Sequence, residues 1–182
     1  MANLRSAQHT VTTVLTRAYL SLGSNLGDRT AHLRQTISKL SDLGAVTNCS
    51  SFYQTEPVEF TDQPEFLNCA VEIETQLNPQ QLLTGILTVE RKMGRDRSAQ
   101  PPKGPRTIDI DLLLAGDAVI NSPELVLPHP AMHLRRFALE SLAEIAPDVR
   151  HPLLHCTIRE LRDRLPAGQA VLKLPSSPWL CR

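Results

Sequence analysis

Residues 66–94, FLNCAVEIETQLNPQQLLTGILTVERKMG, change hydrophobic period half-way along, and that change decides the fold. From Phe66 to Gln76, Val71, Ile73 and Thr75 alternate with Glu72 and Glu74, the period of a strand with one covered face. Asn78 then offers an N-cap oxygen, Pro79 suits a first helical turn, and Gln81 completes a capping box. Leu82, Leu83, Ile86, Leu87 and Val89 continue the apolar pattern of a helix that runs to Gly94. The pattern therefore predicts a strand joined through a short turn to a helix.

Upstream, Arg17 to Gly23 (RAYLSLG) reads as a short strand ending in the turn Gly23-Ser24-Asn25. Asp28 caps a second helix, with Leu33, Ile37 and Leu40 as its apolar stripe and Gly44 as its C′ residue. Val46 to Thr55, rich in Val, Thr, Ser, Phe and Tyr, reads as one strand. EPVEFTDQPEF, with prolines at 57 and 64, reads as a loop. Downstream, Thr107 to Ala115 reads as a strand that Gly116-Asp117 turns back into a short fifth one, Ala118 to Ile120.

The order strand, helix, strand, strand, helix, strand is that of a ferredoxin-like βαββαβ core, an α+β fold with an antiparallel sheet. LPHPAMHLRRFALESLAEIAPD adds a loop and a helix, and TIRELRDRL adds a helix with a capping box at Thr157 and Glu160. These C-terminal helices are expected on the sheet's other face. The domain is placed at 17–165, after an N-terminal extension (1–16) and before an irregular tail (166–182). The extension is poor in acids and resembles a transit peptide, but a loosely ordered extension is the preferred reading.

Net charge is +0, from 19 basic and 19 acidic residues, which argues against a general nucleic-acid or acidic-membrane binder. The four cysteines are scattered, so a reducing, cytoplasmic setting is expected, and no apolar run reaches membrane-spanning length. Positive charge is local. Between Glu90 and Arg106 stand Arg91, Lys92, Arg95, Arg97, Lys103 and Arg106 against Glu90 and Asp96. That suits a small anionic ligand.

Asp109 and Asp111 follow at period two, so a strand points both to one face, with Cα atoms roughly 7 Å apart. Ile110, Leu112, Leu113 and Leu114 mark the strand as buried, and buried acids need cations. Metal binding is preferred over a structural ion-pair cluster. Arg97 and Arg106 flank a proline-broken loop, Ser98 to Gly104, that reads as a lid over phosphates. Glu90 orients an arginine or contacts the ligand, with a plain helix-surface acid as the alternative. The pairs His129/His133 and His151/His155 are interrupted by prolines and lack the HExxH glutamate, which disfavours zinc. His129 beside Arg135 and Arg136 reads better as a phosphate contact. Gly23-Ser24-Asn25-Leu26-Gly27 reads as a strand-to-helix turn in preference to a phosphate loop.

SLGSNLGD, SSFYQTEPV, DQPEFLNCAV, GPRTIDIDLLL and LPHPAMHLRRF, in this order, resemble the 6-hydroxymethyl-7,8-dihydropterin pyrophosphokinases of folate biosynthesis. The resemblance covers about Arg17 to Leu165. It implies a monomeric, cytoplasmic enzyme that moves the terminal pyrophosphoryl group of ATP to a pterin hydroxymethyl group, leaving AMP. It implies two Mg2+ ions on Asp109 and Asp111, and nucleotide contacts from Glu90, Arg95, Arg97, Arg106, His129 and Arg135. It places Thr55, Val58 and Asn68 against the pterin edge and Phe66 and Phe137 on its two faces, although core packing alone would also explain the phenylalanines. Similar enzymes commonly carry Arg-Trp before Gly-Pro-Arg, where this chain has Pro102-Lys103 in a loop one residue longer. Lys103 supplies charge to the lid but cannot stack as an indole does. The alternative is another magnesium-dependent nucleotidyltransferase, which would release pyrophosphate instead of AMP.

Overall fold

The computed structural model describes residues 15–57, 62–95, 104–166 and 168–175. Strand β1 (Thr16–Ser24) runs through the middle of the sheet. Helix α1 (Arg29–Leu40) follows, and the Asp28 carboxylate accepts the Ala31 N–H at its start. Next come β2 (Ala45–Cys49), β3 (Tyr53–Thr55) and β4 (Phe66–Thr75). Helix α2 (Pro79–Lys92) carries the expected Asn78/Gln81 capping box, and Gly94 leaves it at φ +84°. Strands β5 (Asp109–Ala115), β6 (Ile120–Asn121) and β7 (Val126–Leu127) follow. The chain ends in α3 (Arg136–Ile145), α4 (Ile158–Arg164) and β8 (Val171–Lys173). The sheet order is β5-β1-β4-β3-β8, with β2 also paired to β4 and every pairing antiparallel. This is the ferredoxin-like order with one strand added.

Period two divides the sheet's faces. Ala18, Leu20, Leu22, Leu67, Cys69, Val71, Ile73, Ile110 and Leu112 pack under α1 and α2 with Leu33, Leu82 and Ile86. Tyr19, Ala70 and Leu113 face the other way and pack under α3 and α4 with Leu139, Leu142 and Ile158, and a register shift between β1 and β5 at Tyr19/Leu20 brings Leu114 to the same cluster. The C-terminal helices thus cover that other face as expected. Asp109, Asp111, Gly23 and Asn68 lie on the same face.

Four local readings are corrected. The single strand at Val46–Thr55 is two strands, because the chain bends at Ser50 to bury Phe52 completely. There the Ser50 hydroxyl accepts the Ala70 N–H (2.8 Å) while the Ser50 N–H donates to the Ala70 carbonyl (2.9 Å). Gly44 is not a left-handed helix terminus, since α1 ends at Leu40. A Cβ on Gly44 would lie 2.4 Å from the Glu74 carbonyl oxygen, so close backbone approach demands the glycine. The fifth strand, β6, does not fold back on β5 but pairs with β7, because the His129 N–H occupies the Leu113 carbonyl on β5's free edge (2.9 Å). The tail reading missed β8, which is too short to show a period.

Glu144, near the end of α3, ties that helix to β3 and β8. Its carboxylate accepts from the Ser51 N–H (3.1 Å), the Ser51 hydroxyl (2.8 Å) and the Tyr53 hydroxyl (2.6 Å), and pairs with Lys173 (3.1 Å). Burial alone would raise its pKa, but the bonds from Tyr53, Ser51 and Lys173 outweigh burial and hold it below the ordinary 4.5. A carboxylate depressed by folding stabilises the fold above its unfolded pKa, and that contribution is lost as pH falls through the folded value. The Tm gap between wild type and Glu144→Gln is therefore widest above pH 4.5 and narrows as pH drops below it, which thermal melts across that window will read. A gap that widens toward acid would refute the assignment.

Candidate active site

On β1, Gly23 pairs with Asp109 of β5 on one side and with Asn68 of β4 on the other. Ser21 pairs with Asp111 in the same way. The strand period thus sets both acids on one face, next to β4 residues of the same face. A Cβ on Gly23 would meet the Asn68 side-chain oxygen at 2.7 Å, so the absence of a side chain here keeps the centre of that face clear.

Positive charge converges on the acids from three places. Arg95, just past α2, bonds Asp109 and also the Glu90 carboxylate at 2.5 Å. Arg106 reaches the other Asp109 oxygen at 2.7 Å. Arg135, at the entry to α3, holds Asp111 at 3.0 Å, with His129 Nε2 4.0 Å from the same carboxylate. The Glu90 side chain is only 2% exposed and also accepts the Ile110 N–H (2.9 Å), so it is no helix-surface acid. It locks α2 to β5 and orients Arg95. Burial pushes the Asp111 carboxyl up and the Asp109 charge adds to that, while His129, Arg135 and Arg106 oppose it. Burial lowers the His129 imidazole, against the pull of Asp111.

Across Gly23 lies a second group. The buried Asn68 amide donates to the Thr55 hydroxyl at 2.8 Å, which fixes the amide's orientation. The Phe66 ring, partly exposed, has the Arg106 guanidinium 5.1 Å from its centroid, and the Phe137 ring has that of Arg135 at 5.9 Å. Arg97, Val58 and Lys103 lie outside the described residues, as does the expected lid except Gly104.

One residue of this group was absent from the sequence-derived candidates. Asn25, 2% exposed, accepts the Arg106 N–H through its side-chain oxygen (2.7 Å), and its own N–H donates to the Arg106 carbonyl (3.1 Å). Its amide nitrogen donates to Gln63 Oε1 (3.0 Å) and the Pro64 carbonyl (3.1 Å). It staples the segment carrying Arg106 to the segment that leads into Phe66. Its place in a Gly-Ser-Asn turn gave only the turn signal, because its partners are distant in sequence.

The histidine pairs do not act at their sequence spacing. His133 and His151 meet edge to face with centroids 6.2 Å apart, and buried His151 accepts the N–H groups of Leu153 and Leu154. Both are structural contacts away from the acids. Among the described residues no group of three or more His, Cys, Asp or Glu side chains is placed to hold a metal, and no helix is long and apolar enough to cross a membrane.

A partly buried acid pair ringed by arginines, beside an oriented amide and partly exposed rings, offers charge suited to phosphate oxygens and surfaces suited to a flat polar molecule. Residues 19–147 match the family described as 7,8-dihydro-6-hydroxymethylpterin-pyrophosphokinase (HPPK). The chain belongs to the HPPK family. It is 47% identical over 134 residues to the 2-amino-4-hydroxy-6-hydroxymethyldihydropteridine pyrophosphokinase of Bacillus subtilis, covering 72% of this chain and 79% of that one. It is 40% identical over 152 residues to the folic acid synthesis protein fol1 of Schizosaccharomyces pombe, covering 82% of this chain and 20% of that one. The crystal structure of wild-type Plasmodium falciparum HPPK-DHPS superposes with a TM-score of 0.68 at 18% identity, over 83% of this chain and 45% of that one. At that identity the superposition speaks for the HPPK fold alone. The remainder of the two longer proteins has no counterpart in the matched region.

Asn25→Ala removes the staple and leaves the Arg106 N–H without its acceptor. Loss of that buried bond costs about 1–3 kcal/mol, which lowers Tm by about 2–4 °C per kcal/mol in a chain of this size. Displacement of Arg106 lowers kcat for pyrophosphokinase turnover by about 100-fold. Wild-type turnover in a folded Asn25→Ala chain would remove Asn25 from the site.

Proposed function

We propose that this chain transfers the β,γ-pyrophosphoryl group of ATP to the hydroxymethyl oxygen of 6-hydroxymethyl-7,8-dihydropterin, giving AMP and the pterin diphosphate for folate biosynthesis. The observation that carries this reading is the single sheet face that holds the arginine-ringed Asp109 and Asp111 on one side of Gly23 and Asn68 with Phe66 on the other.

The donor set suits Mg2+. Two carboxylates on one face offer hard oxygen ligands, and a magnesium site commonly needs only one or two of these besides water and phosphate. Burial and the neighbouring Asp109 charge raise the Asp111 pKa, so a cation beside the pair would favour its ionised form. Asp109 and Asp111 would hold two Mg2+ ions, which supply charge neutralisation along the triphosphate and a more acidic acceptor hydroxyl. Arg95, Arg106 and Arg135 would offer their forks to phosphate oxygens, joined by Arg97 and by His129. Glu90 retains Arg95 in register through its bonds to Arg95 and Ile110.

Asn68 and Thr55 read the pterin edge, with Val58 contributing backbone groups, and Phe66 and Phe137 close on its faces. The arginines act where negative charge grows during transfer, which is where binding energy accelerates the step. The chain's catalytic domain is 17–165, extended by β8. A cytoplasmic monomer acting on small molecules, without nucleic acid or membrane, completes the reading.

The deciding assay supplies ATP, Mg2+ and hydroxymethyl-dihydropterin and follows AMP. AMP that appears only with pterin supports the proposal, whereas released pyrophosphate with a nucleotidylated acceptor would replace it with nucleotidyl transfer. Asp111→Ala lowers AMP formation by about 1,000-fold or more while leaving the circular dichroism spectrum unchanged, because Arg135 is partly exposed and can rehydrate. Near-normal turnover in that variant would remove the metal assignment.

A further inference from the structure

The strand β8 lies beyond the residues matched to the family, 19–147, and its side chains add little to the core, since Leu172 is 61% exposed. Its contacts instead run along one short segment. Tyr53, Gln54 and Thr55 of β3 pair with Lys173, Leu172 and Val171. The Leu174 N–H donates to the Phe52 carbonyl (2.8 Å), and the Gln169 amide donates to the Glu56 carbonyl (3.0 Å). Lys173 and the Tyr53 hydroxyl meet on Glu144. Residues 52–56 are thus held from both sides, by β4 and by the 169–174 segment.

Thr55 sits within that segment and orients Asn68. Without β8, β3 would be a three-residue strand at the sheet edge, which frays readily because few bonds hold it and each is open to water. We propose that β8 is a positioning element for the pterin side of the site, fixing β3 so that the Thr55 hydroxyl holds the Asn68 amide toward the ring. This rests on the assignment of Thr55 and Asn68 to the pterin. Among the described residues, the nucleotide side on α2, β5 and the start of α3 has no strand pairing with β8, whose link to α3 is Lys173 on Glu144 near the helix's far end, so the effect falls on one substrate.

Leu172→Pro tests it. Hydrogen-bonded pairs alternate along an antiparallel ladder, so the Leu174 bond to Phe52 places the next at Leu172 and Gln54, and proline cannot donate there. The expected result is a KM for the pterin raised roughly tenfold, the scale of one well-placed hydrogen bond, with the KM for ATP unchanged. Leu172→Thr keeps the N–H and a strand-forming side chain and behaves as wild type. A second variant, shortened after Pro166, lacks β8 outright and shows the same split. An unchanged pterin KM in either folded variant overturns the proposal, as does a parallel rise in both KM values or impairment by Leu172→Thr. Wild type is assayed first. Failure of wild type to form pterin-dependent AMP overturns the proposed function, whereas an active wild type with insensitive variants overturns only the role of β8.

Discussion

Three carboxylates, Glu90, Asp109 and Asp111, stand where water reaches them poorly, and the architecture around them follows from the need to compensate that charge. At Glu90 and Arg95, the most buried of these pairs, removing one partner costs about 3–5 kcal/mol, because the other charge is left stranded. The acids therefore fix where the cations must arrive. Arg95 is delivered by the left-handed exit of α2 at Gly94, Arg106 by the segment stapled to Asn25, and Arg135 by the turn into α3. Replacing buried ion pairs by well-packed apolar side chains is often neutral or stabilising, so the cluster is weak evidence for a purely structural role.

The sheet separates the two demands of stability and chemistry. The face under α1 and α2 is apolar throughout the core strands and carries the larger packed cluster. The opposite face is apolar only where α3 and α4 cover it, from Tyr19 to Leu114, and becomes polar toward Gly23 and Asp109. A strand can serve both because its side chains alternate. Leu113 belongs to the packed end of this face and Asp109 to the reactive end, four residues apart on β5.

Much of this was legible because it depended on neighbours in sequence. Period two in Asp109–Ala115, the capping boxes at Asn78 and Thr157, and the clustering of arginines all act over a few residues. What stayed hidden depended on distant pairing. Gly44 is explained by Glu74, Ser50 by Ala70, Asn25 by Arg106 and Pro64, and β8 by β3. None of these partners lies within a window that propensity or periodicity can examine. Glu90 was half legible, because its position one turn before the helix end allowed an arginine partner, but only the fold supplies the Ile110 N–H that removes it from the surface.

Gly23 explains why the two halves of the site meet where they do. It is the one residue registered against both Asn68 and Asp109, and adjacent strands lie about 4.8 Å apart, so the two flanking residues sit about 10 Å from each other across it. Any side chain at this position would enter that gap and strike the Asn68 amide oxygen. Under the proposed function, glycine here would let an acceptor oriented by Asn68 extend its hydroxymethyl arm across β1 toward phosphates at Asp109. The reacting groups then approach over backbone, which is held by ladder bonds on both sides and cannot move aside as a side chain would. That rigidity suits an in-line transfer, whose rate depends on the alignment of attacking and leaving oxygens.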